Sequence, residues 1–245
     1  MALPDPKIEA YGDAAVLLRY DVFGYDAQVN QAVLSMAAHL RTQSNWVDVV
    51  CGYDSVLATF NPRDMRLGAA LNRLKVALGR LDMMQEIDGP IIDIPVHYGG
   101  EHGPDMGNIM ESSGLSEEAI IRIHSSQIYN VCMMGFIPGF AFLSEAPQVL
   151  HHPRQDTPRL SVPAGSIGIA GWQTGIYGLE SPGGWQIIGR TPATIFDVSR
   201  NEPFLLKAGD RVRFIPQTVT KNRLHAPKAK QTSAKKRPGE GASND

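Results

Sequence analysis

Short apolar runs in the first third of the chain predict three β-strands, at residues 14–20, 47–51 and 55–60. The residues Gly52, Tyr53 and Asp54 separate the last two runs and predict a turn between them. Segments of helical periodicity alternate with these strands. The order β-α-β-β-α predicts a split βαβ unit, in which two helices cover one face of a sheet.

Both predicted helices have a start signal ahead of their apolar face. Asp26 can cap the first helix, whose apolar positions recur at helical spacing: Val29, Val33, Met36, Ala37 and Leu40. Asn61 and Pro62 are expected to supply the cap and the first residue of the second helix. Its apolar face consists of Leu67, Leu71, Leu74 and Leu78.

The pattern changes at Gly89-Pro90, where we place a domain boundary. A strand is predicted at residues 91–98, followed by a short helix from Gly103-Pro104 and another over 117–126. From residue 129 to 216, Gly or Pro interrupts short apolar runs, which is typical of a small closed β-barrel. We therefore expect an α+β chain with domains at 1–88 and 89–217 and a tail at 218–245.

Composition and charge exclude several classes of protein. The 245 residues are 43% hydrophobic, enough for a large core, and two cysteines cannot form a disulfide framework or a four-ligand zinc site. Neither a signal peptide nor a membrane-spanning run is present, which favours a cytoplasmic protein without membrane contact. The tail is basic and poor in apolar residues, so we expect it to be disordered. No aromatic residue lies among its charges, and nucleic-acid binding is therefore not predicted.

Glycine and proline concentrate between Gly135 and Pro192, with 10 Gly and 7 Pro in 58 residues. They form four clusters separated by apolar residues, which a flexible linker would lack. Glycine lets a backbone approach a ligand and present N–H groups to it. Arg159 and Arg190 lie inside two of these clusters and can bind carboxylate or phosphate groups.

Standard cofactor and metal signatures are absent from the sequence. No Gly-Lys pair occurs, which excludes a P-loop. His97 and His102 have no third ligand near them in the sequence, and the adjacent His151 and His152 would point to different faces of a regular element. We predict no metal site.

Four motifs in the Gly- and Pro-rich segment resemble, in order and spacing, those of the allophanate hydrolase subunit 1 family, also called the carboxyltransferase C and D family. The motifs are GFIPGFAFL, PRLSVPAGSIGIAG, QTGIY and SPGGWQIIGRTP. The resemblance extends upstream through YGDAAVLLRY, CGYDSVLATF, VHYGGEHGPDM and GLSEEAIIRIHSS, and so covers about residues 10–216. One departure is Gly178, where the family motif would have proline.

This resemblance implies a ferredoxin-like N-terminal domain followed by a cyclophilin-like β-barrel. It also implies partners: a second barrel protein (the C subunit) and, in 5-oxoprolinase, a lactam-utilisation protein (the A subunit). The implied reaction is the ATP-dependent opening of 5-oxo-L-proline, a small-molecule substrate, to L-glutamate. ATP is the expected cofactor, bound by this chain or by a partner.

Such a reaction needs an acid or base, cations for the substrate and neutral donors. His124, which resembles the family's histidine before the GF-PGF strand, is the acid/base candidate, and the alternative is a core histidine hydrogen-bonded to its surroundings. Arg159 and Arg190 are expected to hold carboxylate or phosphate. The other expected substrate-binding residues are Phe136, Pro138, Gly139, Phe140, Pro163, Gly165, Ser166, Gln173, Tyr177, Pro182, Gly183, Gly184 and Trp185.

Three functions of such proteins stay open at this point. A component of 5-oxoprolinase is favoured, because stand-alone chains of this length most resemble that member of the family. A carboxyltransferase half of a urea carboxylase or allophanate pathway enzyme would need biotin from another chain, since no Met precedes a Lys here. The third is an inhibitor of histidine kinase autophosphorylation, which would need an exposed apolar groove.

Overall fold

The computed structural model describes residues 3–80 and 87–217, which form an α+β structure. The first part contains β1 (Lys7–Ala10), β2 (Ala15–Arg19), α1 (Ala27–Arg41), β3 (Asp48–Cys51), β4 (Ser55–Thr59) and α2 (Leu67–Leu78). The second part begins with β5 (Ile91–Tyr98), α3 (Met106–Ser113), α4 (Glu117–Ser125), β6 (Ile128–Met134) and β7 (Ala141–Glu145). After a short 3-10 helix (Gln148–Leu150) it ends with β8 (Arg159–Val162), β9 (Ser166–Ala170), β10 (Gln173–Ile176), β11 (Ser181–Gly183), β12 (Gln186–Arg190) and β13 (Arg211–Pro216).

The first four strands form an antiparallel sheet in the order β1-β2-β4-β3. Helix α1 packs on β3 and β4, and α2 packs on β1 and β2. The three strands and two helices predicted from apolar spacing are all present. Strand β1 was not predicted, because its four residues are largely exposed and carry no apolar pattern.

The two helix starts have different outcomes. The Asp26 side chain accepts hydrogen bonds from the backbone N–H groups of Gln28 and Val29, so the predicted cap of α1 is confirmed. The predicted start of α2 at Asn61 and Pro62 is wrong, because this helix begins at Leu67. The Asn61 side chain accepts from the N–H of Arg63 within a turn that precedes the helix.

Seven strands of the second part close into a barrel in the order β10-β7-β6-β13-β5-β12-β9. The predicted barrel is therefore confirmed. Strand β13 pairs with β5 in parallel, and β8 pairs with β11 in a separate two-stranded sheet. Predicted strand 91–98 corresponds to β5, and predicted helix 117–126 corresponds to α4, whose cap is Ser116.

Buried apolar residues form one core beneath the first sheet and others in the barrel. The core residues of the sheet precede residue 78 and those of the barrel follow residue 93, on either side of the predicted boundary near residue 89. The boundary itself stays a prediction. The two parts meet where Tyr53 packs edge-on against Trp172 and donates a hydrogen bond to the Leu143 carbonyl. The predicted disordered tail at 218–245 lies outside the described residues.

Candidate functional site

A glycine-containing loop, residues 99–105, lies directly on strand β12 and builds one side of the candidate site. The N–H of Gly99 donates to the Ile188 carbonyl at 3.0 Å, and that of Asp105 donates to the Ile187 carbonyl at 2.9 Å. In return, the N–H of Ile187 donates to the Asp105 carboxylate at 2.6 Å. A Cβ atom at Gly103 would collide with the Ile188 carbonyl, so only glycine allows this approach.

The carboxylate of Asp105 is buried at the centre of a polar network. Arg159 donates to both of its oxygens, one contact measuring 2.8 Å, and Gln155 donates to it from Nε2 at 2.8 Å. A buried carboxylate is tolerated when it is paired and fully hydrogen-bonded. The guanidinium of Arg159, predicted to hold substrate, therefore binds a buried acid of its own chain.

A cleft of about 490 Å³ opens beside this loop. Its polar wall contains His97, His102 and Arg190, and the first and last of these stand opposite each other in the pairing of β5 with β12. The two imidazole rings lie 5.2 Å apart between centroids. No acidic side chain lines the cleft among the residues that the structure describes, so its lining has a positive charge.

The floor of the cleft is made of backbone whose N–H groups are already used. Gly165 adopts a left-handed conformation with φ of 79°, and a Cβ atom there would lie 2.5 Å from the Thr191 carbonyl oxygen. Its N–H donates to the Tyr177 carbonyl, and the N–H of Thr191 donates to the Gly165 carbonyl. Gly165, predicted to bind substrate, therefore lines the cleft, but its N–H already has a protein partner.

The apolar part of the cleft lining includes Leu179, Ile195 and Phe196. Gly178 also lines the cleft, and its backbone touches the Pro138–Gly139 turn so closely that a Cβ atom would lie 2.5 Å from the Gly139 Cα. Pro138 and Gly139, both predicted to bind substrate, thus stand behind the lining of the cleft.

Aromatic residues predicted as pocket walls form a separate buried cluster. Phe140 packs edge-on against Tyr177 at 4.8 Å and against Trp185 at 5.4 Å between ring centroids. Burial raises the pKa of Tyr177 to about 12. Gly183 leaves room for the Tyr177 hydroxyl, which a Cβ atom would overlap. These rings supply packing in the core beneath the site.

Phe136 is the exception among the aromatic residues, because its side chain is exposed at the end of β6. Its φ of 65° is unusual for a residue with a bulky side chain and marks a strained turn. Its ring lies 5.6 Å from that of Phe140.

His124, on α4, is fully buried against side chains of the barrel strands. Thr174 donates its only hydroxyl proton to the Gly168 carbonyl, so its oxygen accepts from Nε2–H of His124 at 3.0 Å. Nδ1 must then accept from the Tyr98 hydroxyl at 2.8 Å. Burial lowers the pKa of His124 to about 3. This geometry favours the structural alternative, a neutral core histidine with both ring nitrogens occupied.

The remaining predicted site residues are dispersed. Gln173 lies at the contact between the two parts of the chain, where it hydrogen-bonds the Tyr53 side chain. Ser166 is buried at the start of β9, and Gly184 accepts from the N–H of Gln155. Pro163 and Pro182 are exposed.

No ligand-binding or structural role was predicted from the sequence for three residues of the candidate site: His97, His102 and Asp105. The two histidines were considered only as metal ligands. For His102 and Asp105 the available signal was the glycine-rich segment 99–105, because binding residues are disproportionately found on loops.

Two further classes of feature are absent from residues 3–80 and 87–217. No group of three or more His, Cys, Asp or Glu side chains could hold a metal ion there. No helix in these ranges is long and apolar enough to cross a membrane.

Comparison with known proteins gives consistent results. The family described as carboxyltransferase domain, subdomain C and D, matches residues 6–206. A curated protein of Escherichia coli O157:H7, named as the B subunit of 5-oxoprolinase, is 44% identical over 183 residues, which are 74% of this chain and 83% of that protein. A protein of the same name from Bacillus subtilis is 36% identical over 221 residues, 85% of this chain and 92% of that protein.

Solved structures show the same fold. A crystal structure of TTHA0988 is 35% identical with a TM-score of 0.73, and the match covers 83% of this chain. This chain spans only 40% of the length of that protein. The urea amidolyase of K. lactis is 20% identical with a TM-score of 0.70, over 88% of this chain and 15% of that enzyme. At this identity the likeness concerns the fold alone.

Proposed function

Because the chain belongs to the family of carboxyltransferase domains with subdomains C and D, we propose that it is the B subunit of an ATP-dependent 5-oxoprolinase. The observation that carries this proposal is the set of three curated relatives named as B subunits of 5-oxoprolinase, at 36%, 40% and 44% identity. The complex would open 5-oxo-L-proline with ATP and water to give L-glutamate.

The cleft supports this proposal through its size and charge. 5-Oxo-L-proline is a small ring with a carboxylate, and a guanidinium is suited to grip a carboxylate with two parallel hydrogen bonds. Arg190 donates from Nε to the Ala164 carbonyl at 3.0 Å, which fixes its head at the cleft. Its two terminal NH₂ groups have no protein partner within the described ranges. We assign Arg190 to the substrate carboxylate, with the apolar wall against the ring methylenes.

Arg159 takes a different part in this proposal. Its bonds to Asp105 join β8 to the loop that carries His102, so it positions the cleft. His124 supports the barrel from within, and the aromatic cluster packs beneath the site.

The cleft has few of the groups that an ATP site needs. A magnesium-bound nucleotide needs carboxylate or hydroxyl ligands for the metal and several cations for its phosphates. The lining supplies one guanidinium, Arg190, and no carboxylate, and its hydroxyl groups are those of Thr191 and Thr194, beside the imidazoles of His97 and His102. We therefore propose that a partner protein binds the nucleotide.

The finer points of the assignment belong to the same proposal. We propose that the first sheet is a ferredoxin-like domain and the barrel a cyclophilin-like one, and that the A and C subunits complete the enzyme in the cytoplasm. The carboxyltransferase alternative is less well supported, because the urea amidolyase likeness rests on 20% identity.

Reconstitution of the complex tests the proposal. The full chain is produced with the candidate lactam-utilisation and second-barrel partners, and 5-oxo-L-proline-dependent ATP hydrolysis is measured together with glutamate release. We expect activity only when this chain is present. Arg190→Gln should lower activity by about ten- to hundredfold, the loss typical of one charged hydrogen-bonding partner. The control is Arg200→Gln at a half-exposed ion pair outside the cleft.

Two results would contradict the proposal. Full activity of the partner proteins without this chain would show that the chain is not part of the enzyme. Wild-type complexes that assemble but never consume 5-oxo-L-proline would exclude the activity, and hydrolysis of a different cyclic amide would redirect the assignment.

A further inference from the structure

The imidazole of His97 differs from that of His124 in what surrounds its nitrogens. Nδ1 of His97 is buried and has no hydrogen-bond partner among the described residues. Buried polar atoms are almost always paired, so an unpaired one needs an explanation, and a role in ligand binding is one. His97 is also one of the residues that line the cleft.

An unpaired Nδ1 leaves the tautomer of His97 free. In most proteins the tautomer of a histidine is set by the hydrogen bond that the other nitrogen makes. His124 is fixed in this way on both sides, by Tyr98 and Thr174. No such partner fixes His97 within the described part of the chain, so its second nitrogen, Nε2, can donate a hydrogen bond or accept one.

His102 extends the same surface. Its ring is tilted by 33° against that of His97, and loop 99–105, held on β12 by the bonds of Gly99 and Asp105, keeps it there. Its Nε2 lies 3.6 Å from the carboxylate of Glu101, which is exposed outside the cleft. Arg190 stands beside the pair on the neighbouring strand.

We propose that His97 and His102 are the groups that recognise the amide of a small cyclic carboxylic acid whose carboxylate is held by Arg190. The amide of such a ligand presents one N–H and one C=O, and a pair of imidazoles without a fixed tautomer at His97 can match both. The ligand class is a lactam acid, of which 5-oxo-L-proline is one. This inference rests on the proposed function and locates its substrate on the chain.

The test measures binding by the full-length chain through the imidazole signals in NMR spectra. His97→Phe identifies the NMR signals of His97. The phenylalanine keeps an aromatic ring against His102, and the loss of Nδ1 breaks no hydrogen bond among the described residues. His97→Gln returns a donor and an acceptor, and His152→Phe, in a loop outside the cleft, is the control. The probes are 5-oxo-L-proline, 2-pyrrolidone without the carboxylate, and L-proline without the ring carbonyl.

We expect 5-oxo-L-proline to shift the His97 and His102 signals in a saturable way, and the other two probes to bind at least about tenfold more weakly. His97→Phe should weaken binding by about fivefold or more, His97→Gln by less, and His152→Phe not at all. Unmoved His97 signals at millimolar ligand, or equal binding of all three probes, would overturn the inference.

This inference and the proposed function can each be contradicted without the other. An active complex whose His97→Phe variant keeps the wild-type KM for 5-oxo-L-proline would contradict this inference alone. Saturable binding at His97 in a chain whose complexes show no activity would contradict the proposed function alone.

Discussion

Arg159 donates two hydrogen bonds to the carboxylate of Asp105, and this pair ties strand β8 to the loop over β12. The acid is only 5% exposed, whereas the guanidinium is 31% exposed. Removal of one partner leaves the other charge without its counter-ion in a buried place, which costs more than the loss of a surface ion pair. The pair is therefore a fixed part of the architecture of the site.

We expect Arg159→Ala to lower the free energy of unfolding by about 2–3 kcal/mol, because Asp105 would keep only Gln155 and one backbone N–H as donors. Arg200→Ala, at a half-exposed pair with Asp197, should change it by no more than about 0.5 kcal/mol. Urea denaturation followed by circular dichroism measures both. Unchanged stability with lost activity would show instead that Arg159 contacts the substrate.

His124 gives the chain a defined dependence of stability on pH. Its pKa is about 3 in the folded state, against an ordinary value of about 6.5 in the unfolded chain. Between these values the unfolded chain binds the proton and the folded chain does not. The free energy of unfolding should therefore fall as pH drops from about 6.5 towards 3, and this contribution is constant above about 7.

The variant His124→Gln should flatten this decline, even if its stability at neutral pH is lower. Urea unfolding at several pH values between about 4 and 8 measures the slope. His152→Gln, in a loop, is the control and should keep the slope of the wild type. An unchanged slope in His124→Gln would mean that the buried imidazole is not the group that is protonated on unfolding.

Gly178 is a position where the fold has no room for a larger residue. A Cβ atom there would lie 2.5 Å from the Gly139 Cα and equally close to the Pro138 carbonyl oxygen. We expect Gly178→Ala to destabilise the chain by about 1–3 kcal/mol, since a backbone turn must move.

Gly107 provides the matched control in helix α3, because nothing lies within 4 Å of a Cβ atom built there. Gly107→Ala should stabilise the chain by about 0.5 kcal/mol through the lower entropy of its unfolded state. Thermal unfolding compares the two variants. Equal stability of both would show that the 138–139 turn adjusts without cost.

Local signals predicted most of the fold from sequence. Asp26, Ser116 and the leucine spacing of α2 determine helices through their neighbours along the chain, so they can be recognised without a structure. Asn61 was misassigned because an Asn-Pro pair is equally compatible with a turn and with a helix cap. The pairing of β13 with β5 is a contact between residues about 120 positions apart, and no local pattern specifies it.

The candidate site could be predicted only in part, for the same reason. Arg190 and Gly165 were found because they lie in a segment of unusual composition. His97 lies on β5, about 90 residues before Arg190 in the chain, and it is brought to the cleft only by the closure of the barrel. Arg159 and Arg190 both lie in Gly- and Pro-rich clusters, so the sequence does not distinguish them. Their roles differ because Arg159 binds Asp105, which lies 54 residues away along the chain.

The rate at which the Cys132 thiol reacts can be used to measure the opening of the contact between the sheet and the barrel. The side chain of Asn30, on α1, donates to the Tyr53 carbonyl at 3.0 Å and to the Cys132 carbonyl at 3.4 Å. Burial raises the pKa of the Cys132 thiol to about 12, so a thiol reagent can react with it only after the contact has opened. In a Cys51→Ala background we expect almost no labelling of the native chain at neutral pH.

Asn30→Ala should speed this labelling by about tenfold, because it removes the hydrogen bond that holds α1 against β6 while it leaves both cores in place. Asn108→Ala removes a side-chain hydrogen bond to Gln186 in the barrel and should not change the rate. The rate of modification by an aromatic disulfide reagent measures the opening. Rapid labelling of the wild-type chain, or equal rates in the two variants, would show that the sheet and the barrel separate without breaking the Asn30 contact.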